Sequence, residues 1–190
     1  MGAAGLIVIA VAAAAPLYLL VAFNRLVRQR NVVREGWSGV EVQLKRRTDL
    51  VPNLVETVKA YAAHERAVFE EIATGRAASI AAQDVSGQAG AAQALSGALG
   101  RLLAVAESYP ELKANQNFLK LQNQLAEIED QIQMARRYYN GAVRNLNISI
   151  QSFPDMLLAG RLGFEAEPFF ELDSRAEAAA PRIGFEGGAA

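Results

Sequence analysis

The residues able to carry out acid–base or metal chemistry are few in this chain. Its 190 residues include one histidine and no cysteine, which excludes zinc ribbons, iron–sulfur clusters, thiol catalysis and disulfide frameworks. His64 is a conceivable general base because imidazole titrates near neutral pH, but no nucleophile motif accompanies it. The Glu-x-x-His motif of di-iron bundles is also missing. We therefore expect no metal site, no cofactor and no enzymatic activity, and we interpret His64 as a surface or interhelical hydrogen-bonding residue.

The other polar candidates lie at the edges of apolar, helix-forming segments. Arg47, Asn53 and Asn117 would form, with His64, a small-ligand or enzyme site between helices if the fold gathered them. The run Lys45-Arg46-Arg47 could bind phosphate or an acidic partner, or could be a solvated face with ion pairs inside the bundle. A formal net charge of −1 gives no support to a nucleic-acid partner, which would require a basic surface.

The first element that must position these residues is an apolar N-terminal segment. Residues 1–23 contain no charged side chain, and as a helix they extend about 35 Å, enough to cross a hydrocarbon core of roughly 30 Å. Pro16 is tolerated in such a helix. The segment therefore predicts a single transmembrane anchor in the lipid bilayer.

Arginines follow this segment and none precedes it. The four membrane-flank residues are Arg25, Arg28, Arg30 and Arg34. This asymmetry disfavours a cleaved signal peptide, which opens with a basic region, and it predicts an outside N-terminus with the rest of the chain in the cytoplasm. The arginines could act on topology alone or could also hold anionic lipid headgroups.

Apolar residues at helical spacing predict long helices beyond the anchor. A seam of period 3.5 runs from Trp37 to Ile72 and is broken only at Arg47 and Glu65, as in an amphipathic helix packed against other helices.

Pro52 interrupts this seam. Proline suits the first turn of a helix, and Thr48 and Asp49 precede it as plausible N-caps. We therefore predict one helix from the membrane to about Arg47, then a tight kink or restart, and a second segment to about Arg76.

The following segments alternate between irregular and periodic. Residues 77–92 are small, polar and aperiodic, which predicts a flexible turn region whose ends could be helical. A helical pattern resumes at Leu95 and is stopped by Pro110. The clearest periodicity, with Phe153 as its last apolar position, predicts a helix over residues 115–150 that Pro154 closes. The charged residues of this helix, Glu129 among them, are interpreted as its solvated face, so alanine at Glu129 should cost no more than about 0.5 kcal/mol.

Two blocks of the sequence resemble the LemA family. The first block contains Trp37-Ser38, Val42-Gln43-Leu44-Lys45-Arg46-Arg47, Asp49-Leu50-Val51-Pro52-Asn53-Leu54-Val55 and Tyr61-Ala62-Ala63-His64-Glu65. The second contains Tyr109-Pro110-Glu111-Leu112-Lys113-Ala114-Asn115, Asn117-Phe118, Arg136-Arg137-Tyr138-Tyr139-Asn140 and Phe153-Pro154. The resemblance covers about residues 24–172; Gly36 departs from the alanine expected before the tryptophan. It implies a bacterial membrane protein with one N-terminal anchor, a cytoplasmic antiparallel helical bundle and no established enzymatic activity.

Together these observations predict an all-α protein in three parts. Residues 1–23 form the transmembrane anchor, residues 24–172 an elongated antiparallel bundle of three to four long helices, and residues 173–190 a disordered acidic tail. The expected function is a non-enzymatic scaffold in the inner membrane, a homo-oligomer that can also bind other membrane proteins. The alternative is an enzyme or ligand carrier with the four-residue site described above.

Overall fold

A computed structural model describes residues 2–171 of the chain, and describes residues 3–13 and 15 by their backbone alone. Every regular element within this range is a helix, which confirms the all-α class. The predicted acidic tail, residues 173–190, lies outside the described residues. The elements in chain order are α1 (Ala3–Lys59), α2 (Arg66–Ala81), α3 (Val85–Glu107), α4 (Pro110–Lys113), α5 (Gln116–Gln151) and α6 (Met156–Ala159), followed by one 3-10 turn (Gly160–Leu162).

Helix α1 continues through Pro52, so the predicted restart there is wrong. A proline inside a helix has no N–H for the carbonyl four residues earlier, which is that of Thr48. The Nε–H of Arg76 on α2 donates to this carbonyl at 3.1 Å, so the lost intrahelical bond is replaced by a tertiary one. Thr48 is also not an N-cap, because its hydroxyl donates to the carbonyl of Leu44 at 2.9 Å within the helix.

Residues 77–92 belong mostly to two helices, so the turn in this region is much shorter than predicted. Only residues 82–84 separate α2 from α3, and the side chain of Asp84 caps α3 by accepting from the backbone N–H of Gly87 at 2.6 Å. Gly75, just before this segment, allows close helix packing, because a Cβ added there would lie 3.2 Å from the Cα of Leu95. The region predicted as a turn therefore lies mostly in two helices that pack closely against each other.

Helix α5 has nearly the predicted bounds and runs antiparallel to α1. Asn115 caps its first turn by accepting from the backbone N–H groups of Asn117 and Phe118. Gln29 of α1 donates to Ser149 near the other end at 2.9 Å. Helix α5 ends before Pro154, as predicted, whereas Phe153 is 77% exposed and lies off the apolar seam.

Two hydrophobic clusters divide the molecule along its long axis. The distal core joins α1, α2, α3, α4 and α5, and its buried residues include Val51, Leu54, Ile72, Leu95, Leu102, Leu112, Phe118 and Leu125. The proximal core lies nearer the N-terminus of α1, and its buried residues include Leu26, Val33, Val40, Ile132, Tyr139, Leu146, Phe164 and Phe170. The last two belong to an extended segment, residues 163–171, which we call the C-terminal strap.

Trp37 packs in the proximal core, as its seam position predicts. Its ring centroid lies 5.4 Å from that of Tyr139 and 6.0 Å from that of Phe170.

Among the described residues, one helix is long and apolar enough to cross a membrane by length and composition. It is Val85–Glu107 (α3), whose buried residues pack into the bundle and explain its apolar character. The anchor predicted at residues 1–23 therefore stays a prediction.

Candidate functional site

The predicted membrane-flank arginines make contacts of different kinds. Arg25 forms a salt bridge with Asp155, which follows α5. The guanidinium carbon of Arg30 lies 4.8 Å from the ring centroid of Phe164 in the strap, a cation–π distance. The two remaining flank residues, Arg28 and Arg34, are exposed and form no salt bridge within residues 2–171. Two of the four arginines thus fasten the C-terminal part of the chain to α1.

Asp155 is the central acidic group of this region, and sequence reasoning missed it. Its side chain is 2% exposed and accepts hydrogen bonds from the hydroxyl of Tyr18 and the guanidinium of Arg25. A buried carboxylate requires such partners. The available signal was its isolation as the one acidic residue in the apolar run of residues 153–160.

A set of exposed apolar side chains lies on the two elements that Asp155 joins. Each member is more than half exposed; they are Leu17, Leu20 and Val21 on α1 and Phe153, Met156 and Leu157 after α5. Large apolar patches are rare on soluble monomers and indicate contact with a partner or a membrane.

The strap is held to α5 through its backbone by two asparagines one heptad apart. The amide of Asn140 donates to the carbonyl of Phe170 at 3.1 Å and accepts from its N–H at 2.9 Å. Asn147 makes the same pair of contacts with Glu167, both at 2.9 Å. The strap therefore has a fixed register on α5 without belonging to a sheet.

Tyr139 adds a third polar contact between α5 and the strap. Its hydroxyl donates to the carbonyl of Pro168 at 2.8 Å. Burial, assisted by the negative charge of Glu167, raises the pKa of Tyr139 to about 12. The phenol therefore stays neutral and remains a donor at physiological pH.

The break in the apolar seam at Arg47 is occupied by a buried ion-pair network. Arg47 is 1% exposed, and its Nη1 donates to Ser96 Oγ at 2.8 Å and to Glu129 Oε1 at 3.0 Å. Its Nη2 donates to the carbonyl of Ala92 at 3.3 Å. The side chain thus connects α1, α3 and α5 at the junction of the two cores.

Glu129 is therefore not a freely solvated residue, and its assignment to the solvated face is wrong. Its side chain is one-third exposed and pairs with a fully buried guanidinium. Lys45, by contrast, forms the exposed ion pair with Asp49 that the solvated-face interpretation predicts. A cavity of about 260 Å³ lies beside Arg47, with Arg136 and Phe170 also in its wall.

The four residues of the alternative ligand site are not gathered. Arg47 is buried at mid-bundle, whereas His64, Asn53 and Asn117 are exposed and do not line the cavity beside it. Within residues 2–171, no three His, Cys, Asp or Glu side chains come together as metal ligands would. The best-developed polar features are instead the Asp155 pair, the strap contacts and the Arg47 network.

Comparisons with known proteins identify related chains. A family model described as LemA family matches residues 36–185. The magnetosome protein MamQ 2 of Paramagnetospirillum magneticum is 29% identical over 179 residues, covering 80% of this chain and 66% of the relative. The magnetosome protein MamQ of Magnetospirillum gryphiswaldense is 28% identical over 178 residues, covering 80% of this chain and 65% of the relative. The chain thus spans slightly less than two thirds of the length of these relatives.

Proposed function

This chain belongs to the LemA family, and from that membership we propose that it is a non-enzymatic helical scaffold anchored in the bacterial inner membrane. Residues 1–23 cross the bilayer once with the N-terminus outside, and the bundle lies in the cytoplasm. The relatives are named magnetosome proteins, and these names state no reaction.

The observation that carries the proposal is the continuity of α1. This helix runs from Ala3 to Lys59 without a break, a length of about 85 Å at 1.5 Å per residue. Its first part is the uncharged segment and its remainder lies in both cores. A helix shared by anchor and bundle gives the bundle a defined direction relative to the membrane, which a scaffold requires and a flexible tether would not provide.

Self-association is part of the proposal. Confinement to a membrane raises the effective concentration of one bundle around another, so weak contacts become occupied. Ala10 and Ala14 form a small-xxx-small pair of the kind that lets membrane helices approach closely. We expect a homo-oligomer of the full-length protein, and a largely monomeric domain when residues 1–24 are removed. Crosslinking in native membranes and light scattering of the truncated domain measure the two states.

Topology is tested with single-cysteine variants, because the chain has no cysteine of its own. Gly2→Cys should react with a membrane-impermeant maleimide on intact spheroplasts, whereas Ile80→Cys, at an exposed position on α2, should react only after permeabilisation. Reaction of the Ile80→Cys variant on intact spheroplasts would place the bundle outside and overturn the proposed orientation. Recovery of the full-length chain in the supernatant after lysis would overturn the anchor itself.

The alternative of an enzyme or ligand carrier has little geometric support. Three of its four residues are exposed and apart from Arg47. The residue that is buried, Arg47, has its charge matched by Glu129, as expected of a structural network.

A further inference from the structure

The segment that follows α5 has one buried face and one exposed apolar face. Asp155 and Ala159, four residues apart, are buried against the bundle. Phe153, Met156 and Leu157 point away from it and are 77%, 55% and 60% exposed. Nothing within residues 2–171 covers this apolar face, so its occupant must come from outside the bundle.

The contacts of this segment fix its height along α1. The carboxylate of Asp155 accepts hydrogen bonds from Tyr18 and Arg25, and the strap residue Phe164 packs edge-on against Phe23 with ring centroids 5.9 Å apart. Tyr18 and Phe23 both belong to the uncharged segment. The segment from Asp155 to Phe164 therefore lies beside the last turns of the proposed anchor and the first residues of the basic flank, since Asp155 also pairs with Arg25 and Arg30 lies over Phe164.

Relative to the proposed anchor, this height corresponds to the membrane interface. Tyr18 and Arg25 are seven residues apart, which is about 10 Å along a helix, and the polar interfacial layer on one side of a bilayer is about 5–8 Å thick. Tyr18 lies nearer the centre of the bilayer and Arg25 nearer the cytoplasm, and tyrosine and arginine are the residue types that prefer these two edges of the layer. The paired carboxylate of Asp155 lies between them, where an unpaired charge would be costly.

We propose that residues 153–162 form a second membrane-binding element, which inserts its apolar face into the cytoplasmic leaflet beside the anchor. The inference rests on the proposed function, because it takes the anchor as the reference for depth. The occupant is lipid: Tyr18, which donates to Asp155 of this segment, lies among the exposed leucines Leu17 and Leu20 of the proposed anchor, and Arg161 at the end of the segment is exposed and can meet headgroup phosphate. An interfacial element of this kind buries its apolar side chains about 5–10 Å into the boundary of headgroups and acyl chains.

The test measures lipid contact at three single-cysteine positions in the full-length protein. Leu157→Cys reports on the proposed element, Leu20→Cys on the anchor and Ile80→Cys on the bundle. Ile80 is a matched control because it is 63% exposed, much like Leu157. It lies far from the proposed anchor, since it shares a cavity wall with Leu44, and Leu44 is about 30 Å beyond Phe23 along α1. Each variant is labelled with an environment-sensitive fluorophore and reconstituted in phosphatidylethanolamine–phosphatidylglycerol vesicles, with and without a lipid that carries a spin label near the top of its acyl chain.

We expect the label at Leu157 to show blue-shifted emission and a loss of fluorescence with the spin-labelled lipid, as the label at Leu20 does. The label at Ile80 should show neither. Quenching at Leu20 without quenching at Leu157 would overturn the second element and leave the anchor in place. A blue shift at Leu157 without lipid quenching would assign the apolar face to a protein contact and also overturn it. Protein that does not float with the vesicles, with no quenching at Leu20, would refute the anchor itself.

Discussion

Removal of the Glu129 carboxylate tests the most specific feature of the bundle, the buried charge at Arg47. In Glu129→Ala the guanidinium of Arg47 keeps only the neutral acceptors Ser96 Oγ and the carbonyl of Ala92. Breaking a fully buried ion pair costs about 3–5 kcal/mol. Because the Glu129 side chain is one-third exposed, water can enter where the carboxylate was, and we expect a loss of about 2 kcal/mol, well above the 0.5 kcal/mol typical of a surface site.

Thermal unfolding followed by circular dichroism in detergent micelles measures this loss. For a chain of this size about 2 kcal/mol lowers the midpoint by roughly 4–8 °C. Glu127→Ala is the matched control, since Glu127 is an exposed carboxylate on the same helix, and its midpoint should hardly change. Adding Arg47→Met to Glu129→Ala should recover most of the loss, because it removes the unpaired charge and keeps apolar volume. Equal midpoints for the Glu127 and Glu129 variants, or a double variant less stable than Glu129→Ala alone, would refute this account.

Three further perturbations address helix packing, the strap and the distal core. Gly36→Ala should destabilise the protein by about 1–3 kcal/mol, because its new Cβ would lie 3.1 Å from the Cα of Tyr139. Gly39→Ala has open space around it and should stabilise the protein by up to about 1 kcal/mol through helix propensity. The melting midpoints of the two variants, measured in one buffer, give the sign of each effect. The pKa of Tyr139 is raised from 10.0 to about 12 in the folded state, so its stabilising contribution is complete below pH 10 and is lost as the pH rises from 10 to 12. Urea titrations across this range should show a steeper loss of unfolding free energy for the wild type than for Tyr139→Phe, and identical slopes would contradict the assignment. Leu125→Ala should cost about 2–5 kcal/mol of stability through lost burial and a cavity, because Leu125 is only 5% exposed. Leu119 is an exposed leucine on the same helix, and equal melting midpoints for Leu125→Ala and Leu119→Ala would show that the helix phase is wrong.

The parts of the fold that sequence predicts are those encoded in local periodicity. Helix α5 has strong 3–4 spacing and a capping asparagine, so its bounds, Gln116–Gln151, agree with the predicted residues 115–150 to within one residue. The continuity of α1 was not predictable in the same way, since the donor that compensates for Pro52 is Arg76, whose Nε–H lies on another helix. The local rule that proline ends helices is overridden by a contact 28 residues away in sequence.

The candidate site was harder to predict because its contacts are polar and long-range. The strap has no apolar periodicity, and its register depends on side-chain amides of Asn140 and Asn147 that recognise backbone. The charge of Arg47 in mid-seam was a usable signal, since a cation at a core position requires a partner. Pairing α1 and α5 in antiparallel order, with Tyr61 beside Asn115 and Gln29 beside Ser149, places Glu129 opposite Arg47. This register is known only once the helices are paired in the fold, which is why the sequence alone assigned Glu129 to the solvated face.

The strap explains how the proximal half of the molecule can be stable at all. Helices α2 and α3 complete the distal core, and the first turns of α3 reach into the proximal core through Ala89 and Ala92. Farther toward the N-terminus of α1, the long helices that continue are α1 and α5, and two helices alone leave much of each apolar stripe in water. Phe164 and Phe170 fill this position as a third layer, and Trp37 packs against Phe170. Since Asn140 and Asn147 satisfy the backbone groups of Phe170 and Glu167, an extended segment can be buried there without unpaired amides. Phe164, near the start of the strap, lies against Phe23 and Arg30 of α1. The element that completes the proximal core therefore also fixes the segment bearing Asp155 and Leu157 at the level of the proposed anchor. Stability of the proximal half and placement of the second membrane-binding element therefore depend on one set of contacts.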